Sequence, residues 1–121
     1  MRGEKDMNKY LVKKELAKYV RRALVLLGKE WSEEADKKNK ICFVTELEPE
    51  KFEPILNNAK YKKKADDKGL LIISFNDHPK KPGVVIYTEY IDGPMCYRRI
   101  DTETKEKLQK YFMEEKKMEE C

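Results

Sequence analysis

Apolar positions in this chain fall into short periodic clusters separated by charged or turn-forming stretches. Two runs of β-branched and aromatic residues, Val84 to Ile91 and Met95 to Ile100, flank Asp92-Gly93. That pattern is the strongest short-range hairpin signal a sequence carries. Pro94 lacks an N–H for a ladder, so a connection of three or four residues is expected rather than a two-residue loop. Alternation places Val85, Tyr87, Glu89 and Ile91 on one face, and Val84, Ile86, Thr88 and Tyr90 on the other. The second set is the more apolar and is the expected core face, leaving Tyr87 and Glu89 for a partner.

Upstream, Val12, Leu16, Tyr19, Val20, Ala23, Leu24 and Leu27 follow i, i+3, i+4 spacing and predict a helix from Asn8 to about Gly28. Trp31 and Ala35, four apart, extend helical character to about Lys38. Ile41 to Thr45 is an apolar run without alternation, as expected of a strand covered on both faces or central in a sheet. Pro49 suits the first turn of a short helix with Phe52, Ile55 and Leu56 inward, which Pro54 shortens or kinks. Asn57-Asn58 predicts a turn, and Lys60 to Lys64 an edge strand blunted by lysines. Asp66 to Gly69 is turn chemistry, Leu70 to Phe75 a strand, and Asn76 to Gly83 a loop. A last helix starts at Asp101 or Thr102. Asp101 as N-cap adds a charge favourable to the helix dipole. Leu108, Tyr111, Phe112 and Met118 give it a narrow apolar face.

The resulting order, α, β, α, β, β, β, β, α, predicts an α+β fold. It has a mainly antiparallel sheet of four to five strands with N- and C-terminal helices packed on it. A chain of 121 residues fits one domain, with residues 1–7 and 114–121 as loose ends. Charged residues make up 41%, which alone suggests disorder, but the grouping of apolar residues favours a folded domain with a charged skin. The net charge of +4 permits an acidic partner without demanding one. Cys42, Cys96 and Cys121 form no short-spaced pair, and the longest apolar run is too short to span a membrane. The expectation is a cytoplasmic protein in a reducing interior, with three free thiols, no metal, no cofactor and no membrane association.

No catalytic signature is present. His78 beside Asp77 suggests a general base oriented by a carboxylate, but a lone histidine in a Pro- and Lys-rich stretch more often fills a loop. Glu46, Glu48, Asp66, Asp67, Asp77 and Glu89 are candidate metal ligands for a nuclease. In a chain with 23 acids some adjacency arises by chance. The five glycines are too dispersed for a phosphate loop.

The basic blocks carry more. Lys9, Lys13, Lys14, Lys18, Arg21 and Arg22 cluster near the start, Lys60 to Lys64 surround Tyr61, and Lys80-Lys81 and Arg98-Arg99 follow. Lysine and arginine on phosphates, with tyrosines such as Tyr87, Tyr90 and Tyr97 for stacking, are what sequence-tolerant nucleic-acid binding needs. The competing explanation is a solvated charged surface with tyrosines in the core. The leading expectation is a small non-enzymatic accessory or regulatory binding protein that docks on nucleic acid or a nucleoprotein complex. Its site residues are Lys60, Lys62, Lys63, Lys64, Tyr87, Arg98 and Arg99. A protein–protein adaptor or inhibitor, such as an antagonist encoded by a virus or mobile element, is second, and a small metal-dependent nuclease third.

Overall fold

The computed structural model describes residues 7–35, 38–91 and 95–110. The contacts divide the chain into two compact units between Lys60 and Tyr61. The expected loose ends (Met7 apart), the Asp92-Gly93-Pro94 connection, Tyr111, Phe112, Met118 and Cys121 lie outside the described residues.

The first unit holds a three-stranded antiparallel sheet in the order β1-β3-β2, formed by β1 (Asn8–Lys13), β2 (Ser32–Ala35) and β3 (Lys40–Thr45). A 3-10 turn at Lys14–Leu16 follows β1 and leads into α1 (Ala17–Leu26). The expected helix from Asn8 therefore begins nine residues later, at Ala17. Val12 fits the helical stripe with Leu16, but with Tyr10 it also satisfies a period of two, and pairing with β3 settles the choice. Lys13, at φ −59° and ψ 138°, is the extended residue where strand gives way to helix. The end at Gly28 is as expected. With φ +69°, Gly28 donates to Val25 O, and Lys29 donates to Leu24 O, both at 3.0 Å. These are the two bonds of a Schellman cap.

The helical extension expected beyond Trp31 is instead the edge strand β2. Glu33 in β2 receives both Nε and Nη2 of Arg21 at 2.8 Å and the Trp31 indole N–H at 2.9 Å. This clamp ties the strand to α1, a long-range choice that no local spacing records. β3 is the central strand, as its unbroken apolar run predicts, and Cys42, Phe43, Val44 and Thr45 are buried in it. Leu16 of the 3-10 turn and Ala17, Tyr19, Val20 and Leu24 of α1 are buried as well. Tyr10 stacks on Phe52 with ring centroids 4.1 Å apart, and its hydroxyl donates to Leu47 O at 2.6 Å.

Helix α2 (Pro49–Asp67) runs for 19 residues and crosses from one unit into the other. The expected kink at Pro54, turn at Asn57-Asn58 and edge strand at Lys60 to Lys64 are all absorbed into it. Proline 54 costs one backbone bond, to Glu50 O, but both residues are exposed, so water can serve that carbonyl. Phe52, Ile55, Ala59 and Ala65 are its buried residues, and Lys62 falls on the same stripe. Gly69, at φ +75°, caps the helix. Its N–H donates to Asp66 O at 2.9 Å, and that of Leu70 to Ala65 O at 2.8 Å.

The second unit holds a three-stranded antiparallel sheet in the order β4-β5-β6, with β4 (Leu71–Asp77), β5 (Val84–Ile91) and β6 (Met95–Asp101). The expected hairpin is present, with Val85 opposite Ile100 and Tyr90 opposite Met95. Helix α3 begins at residue 102 and is described to residue 110. Asp101 caps it as expected, its Oδ1 accepting the Thr104 N–H at 2.7 Å. Leu108 is its buried residue.

The fold is thus α+β and antiparallel as expected. Among the described residues, six strands in two sheets replace the single sheet of four to five, and the N-terminal helix is preceded by a strand.

Candidate nucleic-acid interface

The core face of β5 is the opposite of the one expected. Val85, Tyr87 and Glu89 are buried, whereas Val84, Ile86, Thr88 and Tyr90 are half-exposed. Glu89 is 7% exposed and Tyr87 2%. The reason is a polar network that apolar counting misses. Lys62 of α2 reaches one Glu89 carboxylate oxygen as an ion pair and hydrogen bond. The Tyr87 hydroxyl donates to the other at 2.9 Å. A buried carboxylate needs such partners, and with them the whole face can turn inward. The Tyr87 ring meets Phe75 of β4, its cross-strand neighbour, at 5.2 Å.

This network redistributes the expected site residues. Tyr87 is in the core and offers no stacking surface. Lys62 is spent on Glu89. Lys63 pairs with Asp67 at 2.6 Å, one helical turn on. Lys60 and Lys64 are exposed on α2, as is Tyr61 between them. The arginines diverge: Arg98 stands opposite Tyr87 on the inner face, and Arg99 stands opposite Ile86 on the outer face, both exposed. Alternation along a strand forces neighbours apart, so Arg98-Arg99 is not one patch.

What the structure does assemble is the outer face of the second sheet. Ile72, Ser74 and Asn76 of β4 lie opposite Tyr90, Thr88 and Ile86 of β5, and Arg99 of β6 lies opposite Ile86. Asn76 donates its side-chain N–H to Ser74 Oγ at 3.4 Å. Among the described residues of these strands, the only carboxylate of that parity is Asp101, already capping α3. The Thr104 hydrogen bonds hold the Asp101 carboxyl below its ordinary pKa. Sequence reading passed over this face because it assigned Val84, Ile86, Thr88 and Tyr90 to the core. The row they share with Asn76 and Arg99, in which Asp101 is the one carboxylate among the described residues, emerges only from the register.

The remaining candidates have local roles. His78 Nδ1 accepts the backbone N–H groups of Lys80 and Lys81 at 3.0 and 3.1 Å, so this nitrogen closes the loop before β5. Among the described residues no three His, Cys, Asp or Glu side chains gather to hold a metal ion. Cys42 is a buried free thiol. No described helix is long and apolar enough to cross a membrane. Glu33 is a carboxylate held by several donors. Burial pushes its pKa up, but hydrogen bonds from Arg21 and Trp31 overcome this and hold it below the ordinary value.

No protein-family model matches the chain, and no curated protein matches its sequence.

Proposed function

We propose that the protein is a non-enzymatic accessory protein that docks on single-stranded nucleic acid, alone or within a nucleoprotein complex, through the outer face of the second sheet. One observation carries this reading. In a chain with 23 acidic residues, this face presents Tyr90, Ser74, Asn76, Thr88 and Arg99, and its one carboxylate is occupied at the edge. Phosphates tolerate a surface of that kind, and an open sheet with a half-exposed ring can stack a base while neighbouring hydroxyl and amide groups meet its edges. Arg99 supplies a fork for a phosphate.

Fluorescence anisotropy with a labelled single-stranded oligonucleotide tests this. Binding should weaken as salt rises, and Arg99→Ala should lower the log–log salt slope by about one. Tyr90→Ala should weaken binding by about tenfold, in line with the loss of a base stack of ~1–3 kcal/mol. Absence of salt-dependent binding by the wild-type protein at low ionic strength overturns the reading. A protein partner, as for an adaptor or inhibitor, is the second reading. It is favoured by Ile72, 57% exposed on the edge strand of the same face, where an apolar side chain and free backbone groups invite another strand. Unchanged capture of a protein by the Arg99→Ala variant, with no nucleic-acid binding, would select it.

A further inference from the structure

The end of the first sheet carries an arrangement that the proposed docking face does not use. Lys13 and Lys40 are direct cross-strand partners of β1 and β3. Like charges set opposite each other in an antiparallel pair oppose folding. Lys14 follows at once, its N–H bonded to Asn39 O at 2.8 Å, which fixes the 3-10 turn against the start of β3. Together Lys13, Lys14, Lys40, Asn39 and Glu15 line an open cleft of about 620 Å³. Its lining holds three lysines and one glutamate.

The same sheet face shows that the fold supplies a counter-charge elsewhere. Lys9, two positions along the outward row of β1 from Leu11, pairs with Glu34 of β2 at 3.3 Å. Among the described residues Lys13, Lys14 and Lys40 form no ion pair. A sequence rich in acids has thus left three cations together at a concave site, at a cost to the sheet that a bound anion would reverse. The cleft is in the size range of ligand pockets and too large for a single phosphate ion.

We infer that the cleft lined by Lys13, Lys14 and Lys40 is a binding site for an anion carrying several closely spaced phosphates. Lysines hold such groups as point charges, and the Asn39 carboxamide adds a neutral donor. No covalent step is involved. The inference does not rest on nucleic-acid docking at the second sheet. Two sources share the ligand chemistry, a free oligophosphate and the backbone of a nucleic acid.

The test is calorimetric titration at low salt with sodium tripolyphosphate, orthophosphate and a hydroxyl-ended single-stranded oligonucleotide. Tripolyphosphate should bind at least tenfold more tightly than orthophosphate. The double variant Lys13→Gln, Lys40→Gln should weaken tripolyphosphate binding at least tenfold, while Lys9→Gln changes it less than twofold. If oligonucleotide binding also falls in the double variant while that of Arg99→Ala retains tripolyphosphate binding, the cleft accepts backbone phosphates as well. If only tripolyphosphate responds, the ligand is a free oligophosphate. The double variant should unfold at the same temperature as wild type or higher, because a repulsive pair has been removed, so lost binding cannot be put down to misfolding. Equal binding by wild type and double variant, or no binding of either multivalent probe, overturns the inference.

Discussion

Lys62→Met is the sharpest test of the second unit's core. The substitution keeps most of the apolar stem and removes the charge that faces Glu89. The Lys62 and Glu89 side chains are 16% and 8% exposed. Removing one partner of a fully buried ion pair costs about 3–5 kcal/mol, chiefly because the other charge is left buried without compensation. Here Tyr87 still donates to Glu89, and the lysine end is close enough to solvent for water to enter. The expected loss is therefore shifted down by about one, to about 2–4 kcal/mol. Adding Glu89→Gln should recover about 1–3 kcal/mol, since a neutral carboxamide can still accept from Tyr87. Urea unfolding at pH 7, followed by far-ultraviolet circular dichroism, reads both values, with the slope expected to stay constant. Lys64→Met, on the exposed side of α2, should change stability by less than about 0.5 kcal/mol. A Lys62→Met protein as stable as Lys64→Met, or a double variant no better than the single, would refute the buried network.

Other outcomes follow from individual contacts. Glu33 has a folded pKa below its unfolded one, so its stabilising contribution is complete above the ordinary carboxylate range and is lost as pH falls through the folded value. Glu33→Gln should lower the unfolding temperature at pH 7 and narrow the difference between variant and wild type below about pH 4, as read by calorimetry. Asp101→Ala should speed hydrogen exchange at the Thr104 amide and the first turn of α3, while Asp101→Asn retains most of the protection, since Asn is also a strong N-cap. Gly69→Ala should cost about 1–2 kcal/mol from left-handed backbone alone, because a β-carbon there meets nothing within 4 Å. Cys42 should resist alkylation in the native protein and react on unfolding, which mass spectrometry resolves by site.

Sequence reading succeeded where a local rule had no rival. Asp101 had one helix to cap, Gly28 one to end, and the two runs flanking Asp92-Gly93 could hardly avoid pairing. It failed where two periods fitted the same residues. Val12 obeys both a helix and a strand, and only the pairing of Tyr10 and Val12 with Phe43 and Ile41 decides. Trp31 and Ala35 are four apart, a spacing that suits both patterns, and the Arg21 clamp on Glu33 fixes the strand from twelve residues away. In α2, helix-breaking signals at Pro54 and Asn57-Asn58 hid a stripe through Phe52, Ile55, Ala59, Lys62 and Ala65. Following that stripe would have placed a lysine on the buried side and prompted a search for its acid. Of the candidate site, Arg99 was visible as a charge, while Lys60 and Lys64, equally visible, lie on α2 and not on this face. The face that Arg99 shares with Tyr90 was not visible, because charge alone carries no parity.

The opposed directions of Arg98 and Arg99 bear on how this gene can change. Inserting or deleting one codon near the start of the stretch encoding 95–101 would exchange the residues that follow it between the two sides of the sheet. Arg98 would take the place of Arg99 while Ile100 left the inner side, so a single event would disturb both interior and exterior. Changes of two codons preserve parity, and the loop from His78 to Gly83 can absorb an odd number without touching it. Length variation among descendants of this sequence should accordingly collect in 78–83 and avoid odd steps in β5 and β6.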